Sequence, residues 1–333
     1  MKTIILFGAT GGIGAYTALH LSNSKEYNVL AVGHRKSDNG FFEQYGIKYL
    51  SVDIADYKSF DILPKEDVDA VINLAGVLPA RNYDPRMYIQ SFTMGQLNVL
   101  EYMNKVGCKK IISAQTPADL WYLQNTAEPM PADALRSFPP STDHSIYTIA
   151  KNAAIDITEY YHNTYGISRF ILRFFNVYMY HPNPYYHVDG IKRMISFRLL
   201  MDRASAGEDI EVWGDSSRSK EMLYVKDLSQ LIQQCIESSK EGGVYNVGSI
   251  KQVSLDEQID GIIDVFTENK KSNKVLCPNK PNALFNHLDI SKTIEELGYN
   301  PQYSYIDWLK DFKKEMEENR FELLWGTRAD YED

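Results

Sequence analysis

The sequence predicts an α/β fold in which a doubly wound parallel sheet is followed by a smaller mixed α/β domain. Three observations predict this class: a glycine-rich turn directly after a short apolar run, short apolar segments that alternate with helical ones, and a less regular second half. Strands that alternate with helices are joined by right-handed crossovers into a parallel sheet. Because ligands bind such sheets at the carboxyl ends of the strands, we expect the functional residues there.

The first half provides the predicted strands in order. Residues 2–7 are apolar and end in glycines, and apolar residues at helical spacing follow from 15 to 24. Further short apolar segments, separated by polar or helical pieces, are predicted to be strands: 27–35, 47–56, 68–76 and 108–116. Helical spacing predicts helices at 90–107 and 145–154.

The second half combines short strands with helices. Its predicted strands are 167–178, 210–214 and 244–249. Its predicted helices are 191–205, 291–299 and 305–321. We expect part of this half to complete the sheet. The first domain is therefore placed at 1–175 and completed by roughly 222–248, and the smaller domain at 176–221 and 249–333.

Composition and charge exclude several classes of protein. With 333 residues, 44% of them hydrophobic, the chain can bury a large core. A net charge of −9 argues against nucleic acid or an anionic membrane as partner. No apolar segment has the length of a membrane span or a signal-peptide core. The three cysteines lack metal-ligand spacing, which favours reduced thiols, a cytoplasmic location and no metal site.

Three glycines mark the turn between the first strand and the first helix. Gly8, Gly11 and Gly14 are three residues apart. Free backbone N–H groups and the positive end of the helix dipole meet at such a turn and form an anion site, to which glycine allows a pyrophosphate close approach. The alternative is a glycine-rich turn without a ligand.

The turn after the second strand bears on the choice of dinucleotide. NAD sites commonly have a carboxylate about 20 residues beyond the glycines, but here Gly33 occupies that place and His34 and Arg35 follow. A guanidinium can bind a ribose phosphate through a fork of donors, so NADP is favoured over NAD. An exposed basic turn that contacts no cofactor is the alternative. Asp53, after the third strand, is a candidate acceptor for the adenine amino group, or an ordinary turn aspartate.

A tyrosine, a lysine and a threonine form the candidate catalytic group. Tyr147 and Lys151 are four residues apart and share one face of a predicted helix. A phenol with a pKa of about 10 is a poor base at neutral pH, and a neighbouring ammonium lowers that pKa. Thr116 ends the fifth predicted strand, where its hydroxyl can hydrogen-bond a substrate oxygen during hydride transfer.

Motifs along nearly the whole chain resemble those of one family. They are GATGGIG, SVDIAD, NLAG, YTIAK, LRFFNVY, VWGDSSRSKEMLYVKDL, VYNVGS and ISKTIEELGY, in this order. The chain resembles an extended short-chain dehydrogenase/reductase of the NAD(P)-dependent epimerase/dehydratase family, which acts on nucleotide sugars. The resemblance implies a Rossmann-type NAD(P)-binding domain, a C-terminal domain that binds a nucleotide-diphosphate sugar, and a homodimer.

The resemblance also assigns roles to residues. Tyr147 is the catalytic acid/base, Lys151 tunes it and binds the nicotinamide ribose, and Thr116 holds the reacting hydroxyl or carbonyl. The remaining cofactor-binding residues are Gly8, Thr10, Gly11, Gly12, Ile13, Gly14, His34, Arg35, Asp53, Ile54, Leu74, Ala75 and Gly76. The substrate-binding residues are Trp121, Asn176, Arg218 and Lys220, and either of the last two can replace the family's diphosphate-binding arginine.

Departures from the family pattern narrow the expected activity. Thr116 is followed by Pro117 and Ala118, where sugar dehydratases have an Asp-Glu pair, and Phe92 stands in place of a helix asparagine. The favoured activity is an epimerase that moves hydride at sugar carbon 4 through a keto intermediate. The alternatives are an NADPH-dependent nucleotide-4-keto-sugar reductase and a non-catalytic NAD(P)-binding sensor.

Overall fold

The computed structural model describes residues 1–78, 84–126, 128–141, 144–188, 191–282 and 286–332. Its strands within these residues are β1 (Lys2–Phe7), β2 (Tyr27–Gly33), β3 (Lys48–Ser51), β4 (Ala70–Asn73), β5 (Lys110–Gln115), β6 (Ser168–Arg173), β7 (Val177–Tyr178), β8 (Tyr185–Val188), β9 (Ile191–Met194), β10 (Ile210–Trp213), β11 (Ser219–Lys220), β12 (Leu223–Tyr224), β13 (Gly242–Asn246), β14 (Val253–Ser254) and β15 (Lys274–Cys277). Seven of these described strands form a parallel sheet in the order β13-β6-β5-β4-β1-β2-β3. The predicted doubly wound parallel sheet is confirmed.

Helices cover both faces of the sheet. The described helices are α1 (Gly12–Ser22), α2 (Pro85–Tyr88), α3 (Gly95–Val106), α4 (Ser145–Tyr165), α5 (Ser196–Ala206), α6 (Val225–Glu237), α7 (Leu255–Phe266), α8 (Ser291–Leu297), α9 (Tyr305–Glu318) and α10 (Glu322–Trp325). Alternate residues of a strand face opposite sides, so Ile4 and Leu6 pack with α1 and α6, whereas Ile5 and Phe7 pack with α3 and α4. Among the described helices, none is long and apolar enough to cross a membrane.

The second half forms short strand pairs beside the sheet. β10 pairs with β15 and β12 with β7 in parallel, whereas β11 pairs with β14 and β8 with β9 in antiparallel orientation. β13 joins β6 at the edge of the central sheet, so the second half contributes a strand to it. The domain boundaries given above stay a prediction.

Two predicted helices differ from the structure. The segment 191–205 was expected to be helical, but its first residues form β9, and α5 begins at Ser196. Pairing with β8 overrides the helical spacing here, and the Lys192 ammonium packs 4.4 Å from the centre of the Tyr185 ring across the hairpin. The segment 90–107 is helical, but a wider π-helical turn at Ile89–Met94 precedes α3.

Candidate active site

The glycine-rich turn connects β1 with α1 at the carboxyl edge of the sheet. Gly8 has a φ of +81°, and a Cβ there would lie 2.7 Å from the Ala75 nitrogen and from the Leu74 carbonyl carbon. A Cβ on Gly14 would lie 2.1 Å from the Gly8 carbonyl oxygen. Packing within the turn and against the end of β4 therefore requires glycine at both positions, whatever the turn binds.

The N-terminus of α1 fits a phosphate group. Gly11 precedes the helix without a side-chain cap, and Gly12, Ile13 and Gly14 form its first turn. The N–H groups of an uncapped helix N-terminus point at a common place, and the helix dipole favours negative charge there. The pyrophosphate of a dinucleotide matches this set of donors.

The turns after β2 and β3 lie side by side. An imidazole nitrogen of His34 lies 3.8 Å from the Asp53 carboxylate, and both side chains are exposed. Thr10 lies next to Gly33: a Cβ added to Gly33 would lie 3.0 Å from the Thr10 hydroxyl oxygen. The backbone oxygen of Ile54 accepts a hydrogen bond from the side chain of Asn98 on α3. The structure thus brings His34 close to Asp53, and Thr10 close to Gly33 at the end of β2.

Arg35 is engaged differently from what its sequence position suggests. Its guanidinium donates a hydrogen bond to the backbone oxygen of Leu324 in α10, and its own backbone oxygen accepts one from the Tyr49 hydroxyl. The segment that contains Leu324 is distant in sequence, so the local pattern of the turn does not contain this contact. The Arg35 guanidinium can therefore bind a ribose phosphate only in competition with its hydrogen bond to Leu324.

The end of β4 contacts the π-helical turn. Gly76 has a φ of +157°, and a Cβ there would lie 2.0 Å from the ring of Phe92. Behind this contact a chain of buried hydrogen bonds runs from Asn73 to Gln96 and on to Thr158. The Phe92 ring therefore lies over the end of β4, and buried amides fix the strand and the helix beneath it.

Thr116 and Tyr147 meet at the end of β5. Thr116 begins a 3₁₀ turn, Pro117–Leu123, and its hydroxyl accepts a hydrogen bond from the Ala118 N–H. The surrounding protein removes water from Tyr147 and raises the pKa of its phenol to about 12, although a hydrogen bond with Thr116 opposes the rise. The Tyr147 ring lies edge-on to Phe92, with ring centres 5.3 Å apart. The predicted hydroxyl pair is thus assembled.

Lys151 follows Tyr147 by one turn of α4, and its ammonium contacts β5 and the ring of Phe92. Its ammonium donates a 2.8 Å hydrogen bond to the backbone oxygen of Ala114 and lies 4.4 Å from the centre of the Phe92 ring. Burial lowers the pKa of Lys151 to about 7. Desolvation of the phenol dominates the pKa of Tyr147 here, and the Lys151 ammonium is bonded to Ala114; that Lys151 lowers this pKa stays a prediction.

A buried ion pair supports the turn that starts at Thr116. Arg173, at the end of β6, donates to the Asp119 carboxylate at 2.8 Å, and both side chains are at most 1% exposed. Gln115 also donates to Asp119, and Arg173 reaches the side chain of Asn246 on β13. Asp119 is therefore a structural anchor for the turn, since its charge is committed to Arg173.

The predicted substrate residues lie on separate segments, with Trp121 in the turn after β5 and the other three in the second half of the chain. The Lys220 ammonium lies 5.7 Å from the centre of the Tyr178 ring. Asn176 is exposed directly before β7, and Arg218 directly precedes β11, with its backbone oxygen bonded to the Leu255 N–H. Trp121 packs near His144, with ring centres 6.3 Å apart. The contact with Tyr178 connects Lys220 with β7.

Two residues that contact the glycine-rich turn were not predicted. A Cβ on Gly12 would lie 2.6 Å from the sulfur of Met179, so this methionine covers the start of α1. The indole N–H of Trp325 donates a 2.9 Å hydrogen bond to the backbone oxygen of Thr10. Met179 directly follows the LRFFNVY motif, so the motif could have indicated it. The residues next to Trp325 in the sequence give no sign of its contact with the turn.

Comparisons with known proteins agree with this architecture. An uncharacterised protein of Methanocaldococcus jannaschii is 25% identical over 337 residues, which cover 97% of this chain and 98% of that protein. The UDP-glucuronic acid 4-epimerase of Bacillus cereus, solved with NAD, matches at 21% identity with a TM-score of 0.71 and covers 94% of this chain and 97% of its own. The UDP-glucose 4-epimerase of Thermotoga maritima, solved with UDP-glucose, matches at 22% identity with a TM-score of 0.73, over 95% and 99%. These structures share the fold.

A family model identifies the chain more closely. The model for the NAD dependent epimerase/dehydratase family matches residues 4–248, which include the glycine-rich turn, Thr116, Tyr147 and Lys151. The resemblance drawn from the sequence motifs is confirmed. The chain belongs to the NAD dependent epimerase/dehydratase family.

Proposed function

We propose that the protein is an NAD(P)-dependent nucleotide-sugar epimerase that transfers hydride at carbon 4 of the sugar through a keto intermediate. The observation that carries this proposal is the meeting of Thr116, Tyr147 and Lys151 at the end of β5, in a sheet whose first turn fits a pyrophosphate. The absence of an Asp-Glu pair after Thr116 disfavours sugar dehydration.

Each residue of the group has a distinct task. Tyr147 removes the proton from the sugar hydroxyl when the alcohol is oxidised and returns it when the ketone is reduced. The Thr116 hydroxyl holds the same oxygen and stabilises the phenolate by hydrogen bonding. A bound nicotinamide would accept the hydride and return it to the other face of the keto sugar. Lys151 follows Tyr147 by one turn of α4, and its ammonium would bind the nicotinamide ribose and lower the pKa of Tyr147.

The substrate side supports a diphosphate. Lys220 and Arg218 are cations on and directly before β11, and Asn176 offers an exposed amide directly before β7. A lysine binds phosphate as a point charge, whereas an arginine provides a fork of donors. The structures of similar fold from Bacillus cereus and Thermotoga maritima are a UDP-glucuronic acid and a UDP-glucose 4-epimerase. A UDP-sugar is therefore the first substrate class to test.

A second candidate is an NADPH-dependent 4-keto-sugar reductase. The observation that favours it is the basic turn after β2, where His34 and Arg35 stand in place of the carboxylate typical of NAD sites. A reductase exchanges its cofactor in each cycle, whereas an epimerase recycles it internally.

Extraction of the bound nucleotide tests the proposal. The purified protein is denatured, the released nucleotide is identified by mass spectrometry, and the native protein is incubated with UDP-glucose and UDP-glucuronic acid. Retained NAD⁺ or NADP⁺ in near-stoichiometric amount, with inversion at carbon 4 seen by NMR, supports the epimerase. An empty protein that oxidises NADPH with a keto sugar supports the reductase. A protein that binds neither dinucleotide contradicts both.

Assembly and location are part of the same proposal. A homodimer is proposed on the family pattern, in which α3 and α4 pair between subunits, and gel filtration at monomer mass would contradict it. The proposed location is the cytoplasm.

A further inference from the structure

The last part of the chain wraps back over the cofactor half of the molecule. We call residues Phe321–Tyr331 the C-terminal clasp; it contains α10 and the 3₁₀ turn Arg328–Tyr331. Its Phe321 ring packs 4.6 Å from the ring of Tyr16 on α1. The clasp therefore lies against the first helix, next to the glycine-rich turn.

Trp325 connects the clasp with the glycine-rich turn itself. Its indole is 3% exposed and is packed between the rings of Phe321 and His181, at 4.3 and 4.4 Å between ring centres. The indole N–H donates to the Thr10 backbone oxygen at 2.9 Å, while the N–H of the same peptide unit, on Gly11, donates to the Gly8 oxygen at 3.0 Å. Because a peptide unit is planar, these two bonds together fix its orientation just before the anion-binding end of α1.

The clasp also contacts the turn after β2. Arg35 donates its guanidinium hydrogen bond to the Leu324 oxygen, and the Asn39 side chain donates to the Leu323 oxygen at 2.9 Å. Consecutive carbonyl groups of α10 are thus held by the turn that is expected to face the adenosine ribose. One short helix bonds to both turns that would hold the dinucleotide.

The clasp is anchored on its other side to the second half. Arg328 makes two hydrogen bonds to the Asp202 carboxylate of α5, at 2.8 and 2.6 Å. The Tyr331 hydroxyl donates to the Trp325 oxygen, and a capping box between Thr327 and Asp330 shapes the 3₁₀ turn. The clasp therefore has a defined conformation of its own, and it ties α5 to the two cofactor turns.

We infer that the clasp retains the dinucleotide, with Trp325 and Arg35 as positioning residues; this rests on the proposed NAD(P)-dependent function. A turn whose peptide unit is already fixed loses little conformational freedom when it binds a pyrophosphate, which strengthens binding. Opening the turn for release also requires bonds to the clasp to break, so dissociation is slowed. Arg35 acts as an anchor of the clasp, and its effect does not depend on a ribose phosphate.

The first test compares two Trp→Phe variants. Trp325→Phe removes the indole donor, whereas Trp213→Phe removes an exposed indole whose N–H binds Glu211 on β10. Dissociation of NAD⁺ is followed after addition of excess fluorescent etheno-NAD⁺, and the midpoint of thermal unfolding is recorded for each protein. We expect Trp325→Phe to release NAD⁺ about five- to tenfold faster, the effect of one hydrogen bond, and Trp213→Phe to match the wild type. An unchanged dissociation rate in Trp325→Phe, with or without a lower unfolding midpoint, overturns the inference.

The second test uses exposed residues, so folding is not in question. Arg35→Ala is compared with Lys36→Ala, its exposed neighbour, for release of both NAD⁺ and NADP⁺. If Arg35 anchors the clasp, Arg35→Ala should accelerate release of both nucleotides by a similar factor. Lys36→Ala should leave NAD⁺ release unchanged. A loss of affinity for NADP⁺ alone makes Arg35 a phosphate ligand and overturns its role in the clasp. Failure of the wild type to bind either nucleotide contradicts the proposed function instead.

Discussion

A buried pair at the turn after β5 and a half-buried pair on α4 differ in whether opposite charges meet. Asp119 and Arg173 form a 2.8 Å ion pair that is almost completely buried. Tyr147 and Lys151 lie on the neighbouring helix, and within the part of the chain that the structure describes Lys151 forms no ion pair. Its ammonium meets only a backbone oxygen and the face of an aromatic ring among the contacts described above.

The difference separates a structural pair from the pair that is proposed to react, Tyr147 and Lys151. Burial raises the pKa of Asp119 above its ordinary value and Arg173 opposes that rise, while the 2.8 Å contact holds the two side chains in place. Burial without an opposite charge leaves the pKa of Lys151 at about 7 and that of Tyr147 at about 12. Perturbed groups of this kind are typical of sites where protons are exchanged. The contrast predicts that one pair controls stability and the other controls turnover.

The largest expected effect is the loss of turnover in Tyr147→Phe. Removal of the phenol oxygen removes the proposed acid/base, so kcat should fall at least about 100-fold, the range of general acid–base catalysis. The free energy of unfolding in urea should change by only about 1 kcal/mol, because a single hydrogen bond with Thr116 is lost. The measurements are epimerisation rates with the active UDP-sugar and equilibrium unfolding.

Tyr160→Phe is the matched control for this prediction. Tyr160 lies on the same helix and is 56% exposed, so its loss should change neither turnover nor stability appreciably. If Tyr147→Phe retains wild-type turnover and loses only affinity for the dinucleotide, Tyr147 is not the acid/base and the assignment of a reactive pair fails.

The other pair should act on stability. Asp119→Ala leaves Arg173 charged and unpaired in the interior, which should lower the free energy of unfolding by about 3–5 kcal/mol. The double variant Asp119→Leu with Arg173→Met should recover most of that loss, because the second buried charge is removed as well. Urea denaturation measures both. A double variant as unstable as the single one contradicts the interpretation of this pair.

An exposed ion pair provides the matching control. Asp264 and Lys271 are 3.0 Å apart, with side chains 63% and 70% exposed. Because water screens such a pair, Asp264→Ala should cost less than about 1 kcal/mol. If Asp119→Ala and Asp264→Ala lower the free energy of unfolding by similar amounts, burial does not determine how much an ion pair contributes to stability.

The sequence was sufficient for features that depend on neighbouring residues. The strands and helices of the first half, the glycine-rich turn and the placement of Thr116 after β5 all follow from local periodicity and from parallel topology. Tyr147 and Lys151 share a helix face, as their spacing predicts. Local spacing does not determine where a flexible lysine side chain ends, however, and the contact of Lys151 with Ala114 depends on packing across the sheet.

Contacts between distant segments account for the remaining differences. Trp325 and Thr10 are 315 residues apart, and Arg35 meets Leu324 across 289 residues. A turn rich in basic residues suggests a phosphate ligand when only its neighbours are considered, but the clasp supplies another partner. In the same way, pairing with β8 converts Ile191–Met194 from a helical pattern into a strand. Such partners become visible only when the chain is folded.

The smallest expected effect concerns the ring beside Lys151. Phe92 stabilises the charged form of the lysine through its face at 4.4 Å, an interaction worth about 0.5–1 kcal/mol. Phe92→Leu removes it, so the pKa of Lys151 should fall further below about 7, by roughly half a unit. Since Tyr147 needs the ammonium, the alkaline fall of kcat/KM with pH should move about half a unit toward acid. Phe60→Leu, at a buried phenylalanine that packs on Phe7, should lower stability without moving the profile. A profile that stays in place in Phe92→Leu, or moves toward alkaline pH, would mean that the reactive pair does not depend on the charge of Lys151.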